Sequence, residues 1–306
     1  QQGRDLDELP IMIESLRHWK SLAQEFGEPL GFRQEGVMYL AKTDKEMAGF
    51  EDWLTHAKAL GLDTHMMTAQ AIAGRLNGAA APWKGALFTP SDARAEPWVA
   101  VPLLAQGAVQ RGAVLVENCA VRALDLAAGR VAGVVTEHGR IACDQVVLAG
   151  GAWSSLFARA HGVMFPQLSV LASVAASEPM PEVISGNAAD DDFAFRRRAD
   201  GGYTFAPGAE HDFFIGPDAF RHFSTCLPVL KKDFRSTHFH PAAPRHFPDA
   251  WRTARKWPAD HPSPFEANRV LNPAPNMAVI GRTLAAFGRA FPSLSPPRLK
   301  AAWAGM

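Results

Sequence analysis

The stretch Val146-Val147-Leu148-Ala149-Gly150-Gly151-Ala152-Trp153-Ser154 constrains the fold of this chain more than any other. A short apolar run is predicted to be a buried strand. It meets two glycines at once, and a helix is predicted from about Trp153. Glycine lets another group approach the backbone closely, and a helix N-terminus presents unbonded N–H groups. That geometry suits a dinucleotide or a flavin at the C-terminal edge of a parallel sheet. It equally suits a tight strand–turn–helix whose glycines serve only packing.

The surrounding pattern alternates helix and strand early and favours strands later. Pro10 opens a predicted helix over residues 10–26, with Ile13, Leu16, Trp19 and Leu22 on one face and Gly27 to close it. Residues 37–41 read as a buried strand. Thr43 and Glu46 form a capping box for a helix running to about Leu60, and Thr68 caps another short helix. Pro97 and Gly112 bracket a further helix. Residues 114–116 are a predicted short strand, 119–126 and 131–136 a hairpin turning at Gly129, and 140–143 another strand. In the second half, residues 170–176, 193–196 and 203–206 read as strands of an antiparallel sheet, and Val279-Ile280 as a strand turning at Gly281. Residues 240–275 are proline-rich and irregular.

With 47% of 306 residues hydrophobic, the chain can bury one large core or two modest ones. Its 31 basic and 31 acidic side chains cancel, which argues against nucleic acid as a partner and for a small molecule, and leaves homo-oligomerisation open. Cys119, Cys143 and Cys226 are widely spaced, so a reducing, cytoplasmic compartment is expected. No apolar run approaches the roughly 20 residues of a spanning helix, which leaves at most a peripheral association with the inner membrane. His238, His240 and His246 lack the close carboxylate or thiolate of a zinc site, so no metal is expected. The ends, Gln1-Gln2-Gly3-Arg4 and Trp303-Ala304-Gly305-Met306, read as those of a section of a longer protein.

The order of these pieces carries a resemblance. Ala95-Glu96-Pro97-Trp98, the helix to Gly112, Val121-Arg122-Ala123-Leu124, Gly129-Arg130-Val131-Ala132-Gly133-Val134 and residues 146–154 follow one another as in the FAD-dependent D-amino-acid-oxidase family. That family includes glycine oxidase, sarcosine oxidase and bacterial D-amino-acid dehydrogenases. Gly36 to Ala41, Leu87-Phe88-Thr89-Pro90 and Trp303-Ala304-Gly305 also match. The likeness is dense over residues 85–156 and thin over 180–275. It departs from the family in having no GxGxxG segment.

The resemblance implies a mixed α/β fold: an FAD-binding Rossmann-like domain interleaved with an antiparallel-sheet substrate domain. The first would comprise residues 1–33, 88–165 and 296–306, and the second 34–87 and 166–295. It implies oxidation of the C–N bond of an amino acid or secondary amine, with oxygen or a quinone as the final electron acceptor. The flavin would carry the chemistry, so no catalytic side chain is assigned. Gln1, Gln2, Val121, Ala149, Gly150, Gly151 and Trp153 match positions that meet FAD. Arg196, Tyr203 and Arg282 are candidates for holding substrate, since an arginine can grip a carboxylate bidentately. The bland alternatives are a solvated arginine run and a packing tyrosine. The competing function is a non-catalytic relic or accessory subunit that has lost FAD. A nicotinamide-dependent dehydrogenase is a third reading, disfavoured by the β-meander after Val114.

Overall fold

The structure is a computed structural model that describes residues 6–306, the side chain of Lys232 excepted. Its strands are β1 (Val37–Ala41), β2 (His65–Thr68), β3 (Gly85–Thr89), β4 (Val121–Ala127), β5 (Arg130–Thr136), β6 (Gly139–Ala142), β7 (Val170–Ser177), β8 (Asn187–Ala189), β9 (Ala194–Arg197), β10 (Tyr203–Ala206), β11 (His211–Phe214), β12 (Thr237–His240) and β13 (Leu299–Gly305). Its α-helices are α1 (Leu9–Phe26), α2 (Asp44–Ala59), α3 (Ala69–Ala73), α4 (Pro97–Gln110), α5 (Ser154–Ala160), α6 (Pro217–Arg221), α7 (Phe223–Asp233), α8 (Pro264–Ala267) and α9 (Met277–Ala290).

Two compact units divide the chain: residues 1–115, 173–209 and 276–302 in the first, and 116–172, 210–275 and 303–306 in the second. These bounds differ from the expected domains. Residues 210–275, expected with the substrate sheet, pack with 116–172.

The first unit is built on a sheet in the order β7-β10-β9-β8-β1-β3-β2. Neighbours are antiparallel except β1 and β8, which run parallel with Val37 opposite Asn187. Alternation along β9 and β10 turns Phe195, Tyr203 and Phe205 to one buried face. Helix α9 covers that face. Its Phe287 ring lies 5.4 Å from that of Phe195 and 4.9 Å from that of Phe205, both at 70°, the edge-to-face geometry that aromatic quadrupoles favour. Buried positions Val279, Ile280, Thr283, Ala286, Phe287 and Ala290 recur at helical spacing, and Asn276 caps the start by accepting from the Val279 N–H. The strand expected at Val279-Ile280 is therefore a helix. Gly281 sits inside it, a position tolerated at about 1 kcal/mol relative to alanine. The capping box of α2 forms as its sequence requires, with Thr43 Oγ1 accepting from Glu46 N and Glu46 Oε2 accepting from Thr43 N.

The second unit holds the antiparallel meander β4-β5-β6. Its first turn places Ala128 and Gly129 at φ 50° and 74°, the left-handed pair that a tight hairpin needs. A register shift between Val121 and Ala123 makes Arg122 a bulged residue. Strand β11 pairs in parallel with β12 and antiparallel with the first residues of β7.

Two expected strands do not form. Residues 114–116 and 146–149 carry no strand geometry, and Val114 and Val147 are 86% and 91% exposed. Both segments are apolar enough for a parallel sheet. Among the described residues no strand pairs with either, and a strand without a ladder partner is not stable as one. The helix expected from about Trp153 forms as α5 from Ser154, entered through a 3-10 turn over Gly151–Trp153.

Candidate cofactor site

An open cavity of about 310 Å³ lies in the second unit. Its lining is mostly apolar. Val121 of β4 and Val134 of β5 form one side, residues 146–150 and Trp153 another, with Phe157 of α5 and Phe265 of α8 closing it. The aromatic walls hold each other: the Phe265 ring lies 5.4 Å from Trp153 and 5.3 Å from Trp257, both close to perpendicular.

Ion pairs brace this cavity. The bulge aims Arg122 at Glu266, which it grips through Nε at 3.1 Å and Nη2 at 2.6 Å. The two side chains are only 14% and 10% exposed. Val121 and Phe265 are the sequence neighbours of the pair, so the ion pair ties two cavity walls together. Glu266 Oε2 also accepts from the N–H and hydroxyl of Ser263, completing a capping box for α8. The Arg122 guanidinium, with Ser263, holds the Glu266 carboxyl down at about 2. Trp257 Nε1 donates to the Arg122 carbonyl, and Arg269 grips Glu137 through both Nη atoms at 2.6 Å. The same pairing puts the Glu137 carboxyl at about 2. His161 accepts from the Leu124 N–H at Nε2 while Nδ1 donates to Phe157 O, which fixes its tautomer and ties α5 to β4.

The structure brings Val121, Ala149, Gly150 and Trp153 to one cavity. Gly151 is next to it, at φ 53°, a conformation that favours glycine. A Cβ there would meet nothing within 4 Å, so its surface is open to another group. Gln1 and Gln2 lie outside the described residues. The sequence reading missed Val134, Phe157 and Phe265. The Ser263-Pro264-Phe265-Glu266 capping pattern, inside a stretch read as irregular, was the available signal for the last.

At about 310 Å³ this site is at the low end for ligand cavities, so it suits one ring system of a flavin dinucleotide rather than the whole molecule. Val121, Ala149, Gly150 and Trp153 would hold that part of FAD.

The proposed substrate residues have other partners. Arg196 Nη1 donates to Ala95 O at 2.5 Å, and Nη2 faces Glu96 at 3.6 Å. Burial lowers its pKa. Arg197 is not a free solvated residue: it stacks over the Tyr203 ring at 4.9 Å and donates to Met180 O. The Tyr203 hydroxyl accepts from the N–H groups of Val183 and Ile184 and donates to Ile184 O, so its hydrogen-bonding capacity is filled by backbone. Arg282 is exposed on α9, not beside a strand turn. His238 and His240 pair with Glu210 and Asp212, and no group of three potential ligands could hold a metal among the described residues. The three cysteines are free thiols. No helix among the described residues is long and apolar enough to cross a membrane.

The chain matches the family described as DAO, FAD dependent oxidoreductase, over residues 1–306. It is 29% identical over 173 residues to mitochondrial sarcosine dehydrogenase of Mus musculus, covering 52% of this chain and 19% of that protein. It is 27% identical over 182 residues to sarcosine oxidase subunit beta of Rhizobium meliloti, covering 58% of this chain and 44% of that one. It thus spans about a fifth of the first relative and less than half of the second. Among solved structures, L-amino acid deaminase from Proteus myxofaciens superposes with a TM-score of 0.91 at 26% identity, covering 99% of this chain and 68% of that one. On the family match along its whole length, this chain belongs to the DAO family of FAD-dependent oxidoreductases.

Proposed function

We propose that the chain is part of an enzyme that uses FAD to oxidise the C–N bond of an amino acid or secondary amine. The observation that carries this reading is the convergence of Val121, Ala149, Gly150 and Trp153 on one apolar cavity beside the open, left-handed Gly151. The relatives' names support the substrate class: sarcosine dehydrogenase, sarcosine oxidase and D-amino acid dehydrogenase. Bound against Val121, Ala149, Gly150 and Trp153, FAD would supply the hydride acceptor for the carbon next to nitrogen, and the imine so formed would be hydrolysed by water. The chain's own contribution is to position the cofactor against an apolar wall. No observation favours the alternative of a subunit that has lost FAD.

Within this reading Arg196 is the proposed carboxylate anchor. About a quarter of its side chain is exposed, and its 3.6 Å partner Glu96 is the group that a substrate carboxylate would displace. The electron acceptor, oxygen or a quinone, and the assembly state belong to the same proposal. The test is reconstitution of the full-length protein with FAD. Saturable binding, followed by bleaching of the flavin absorbance on anaerobic addition of an amino acid or N-methyl amino acid, is expected. A full-length protein that stays colourless with excess FAD would overturn the reading.

A further inference from the structure

A second cavity of the same unit, about 330 Å³, shares no lining residue with the cofactor cavity. Ser155 and Arg159 of α5, Asp218 and Arg221 of α6, and Met164 and Phe165 from the segment after α5 line it. Its donors and acceptors do not balance. The Asp218 carboxylate is nearly buried, and both its oxygens are engaged: Oδ1 by Arg159 Nη1 and by Arg221 Nε at 3.5 Å, Oδ2 by the Ser155 hydroxyl at 3.4 Å. Each Asp218 oxygen thus has a partner.

Arg159 Nε and Nη2, in contrast, are buried and have no hydrogen-bond partner. These two N–H groups form a single edge of the guanidinium, the edge that grips a carboxylate or phosphate bidentately. Arg221 is half-exposed and engages Asp218 through Nε. The other nearby charges, Arg255 and Asp249, pair with each other at 3.1 Å. Two guanidiniums thus face one carboxylate, leaving a net positive charge. Met164 and Phe165 add an exposed apolar wall, 81% and 46% accessible.

We propose that this cavity binds a small organic anion, a monocarboxylate on a compact apolar body. The carboxylate sits between the Nε–Nη2 edge of Arg159 and the Nη atoms of Arg221, and the apolar body lies against Met164 and Phe165. Arg159 lines the cavity, and the anion engages its unpartnered edge by turning the side chain toward itself. The volume is at the low end for ligand sites, which fits an amino-acid-sized molecule and not a nucleotide. The site does not depend on the flavin reading, because its residues are not those of the cofactor cavity.

The test uses the full-length protein labelled with ¹³C-methyl methionine, with the Met164 resonance assigned by Met164→Leu. Cyclohexanecarboxylate is titrated against the uncharged cyclohexanecarboxamide. A saturable shift of the Met164 methyl with the acid, and none with the amide, is expected. Arg221→Gln, a half-exposed position, should weaken binding at least tenfold with the melting temperature unchanged. Arg159→Lys keeps the charge opposite Asp218 but removes the bidentate edge, and should weaken binding by a similar factor. Absence of a saturable Met164 shift, equal response to the amide, or unchanged binding in Arg221→Gln would each overturn the proposal.

Discussion

Replacing Glu266 by glutamine tests whether one ion pair holds the cofactor cavity together. The substitution keeps the side chain's shape but removes its charge and one of the two oxygens that Arg122 grips. The Glu266 carboxyl moves from an ordinary 4.5 to about 2 in the folded protein. At about 1.4 kcal/mol per pKa unit this corresponds to at most about 3.5 kcal/mol of stability. Residual solvent access and the cost of desolvating both charges reduce that to about 1–2 kcal/mol. The folded-state pKa is depressed, so the stabilisation is complete above about pH 4.5 and is lost as pH falls through about 2.

The assay is urea unfolding of wild type and Glu266→Gln across that acid range and at neutral pH, with FAD titration of the full-length forms. Glu266→Gln should be less stable by about 1–2 kcal/mol at neutral pH, and the difference should close as the wild-type carboxyl protonates. FAD affinity should fall about tenfold, because Phe265 is no longer pinned opposite Val121. A stability difference that is constant with pH would refute the electrostatic argument. Full FAD affinity in a destabilised variant would refute the bracing role.

The remaining predictions concern single positions. Gly151→Ala should lower stability by about 1 kcal/mol for its left-handed φ, and should lower FAD affinity by more than tenfold, read by flavin fluorescence titration. Unchanged FAD affinity would make Gly151 a packing glycine. Burial and the charge of Asp218 push the Asp249 carboxyl up to about 6. The folded state therefore favours the protonated form, and stability falls as pH rises from about 4 to about 6 and stays lower above. Asp249→Asn should then raise the melting temperature at pH 8 relative to wild type, by an amount equivalent to about 1–2 kcal/mol after screening, with no such gain at pH 4. Arg196→Ala should raise KM for the substrate tenfold or more if Arg196 anchors the carboxylate. A fall of about 1–3 kcal/mol in unfolding free energy with unchanged KM would show instead that it only ties β9 to Ala95 and Glu96.

The sequence by itself determined the elements whose signals are local. The capping box at Thr43 and Glu46, the Pro97 helix start and the Gly129 hairpin turn each act within a few residues, and all formed where their chemistry required. The ordered block from Pro97 to Trp153 likewise led to the family and to four residues that line one cavity. Tertiary structure decided whatever depended on a distant partner. Val146-Val147-Leu148 has a strand's composition, but a strand exists only with a neighbour to hydrogen-bond to, and none is present among the described residues. Val279-Ile280 looks like a strand over two residues and becomes a helix because the aromatic face of β9 and β10 buries its helical stripe. The uses of Arg122, Arg196 and Tyr203 were not legible for the same reason. Each donates to, pairs with or accepts from a group far along the chain or on another element, so its role follows from which backbone or carboxylate the fold brings near, and residue type alone does not specify that.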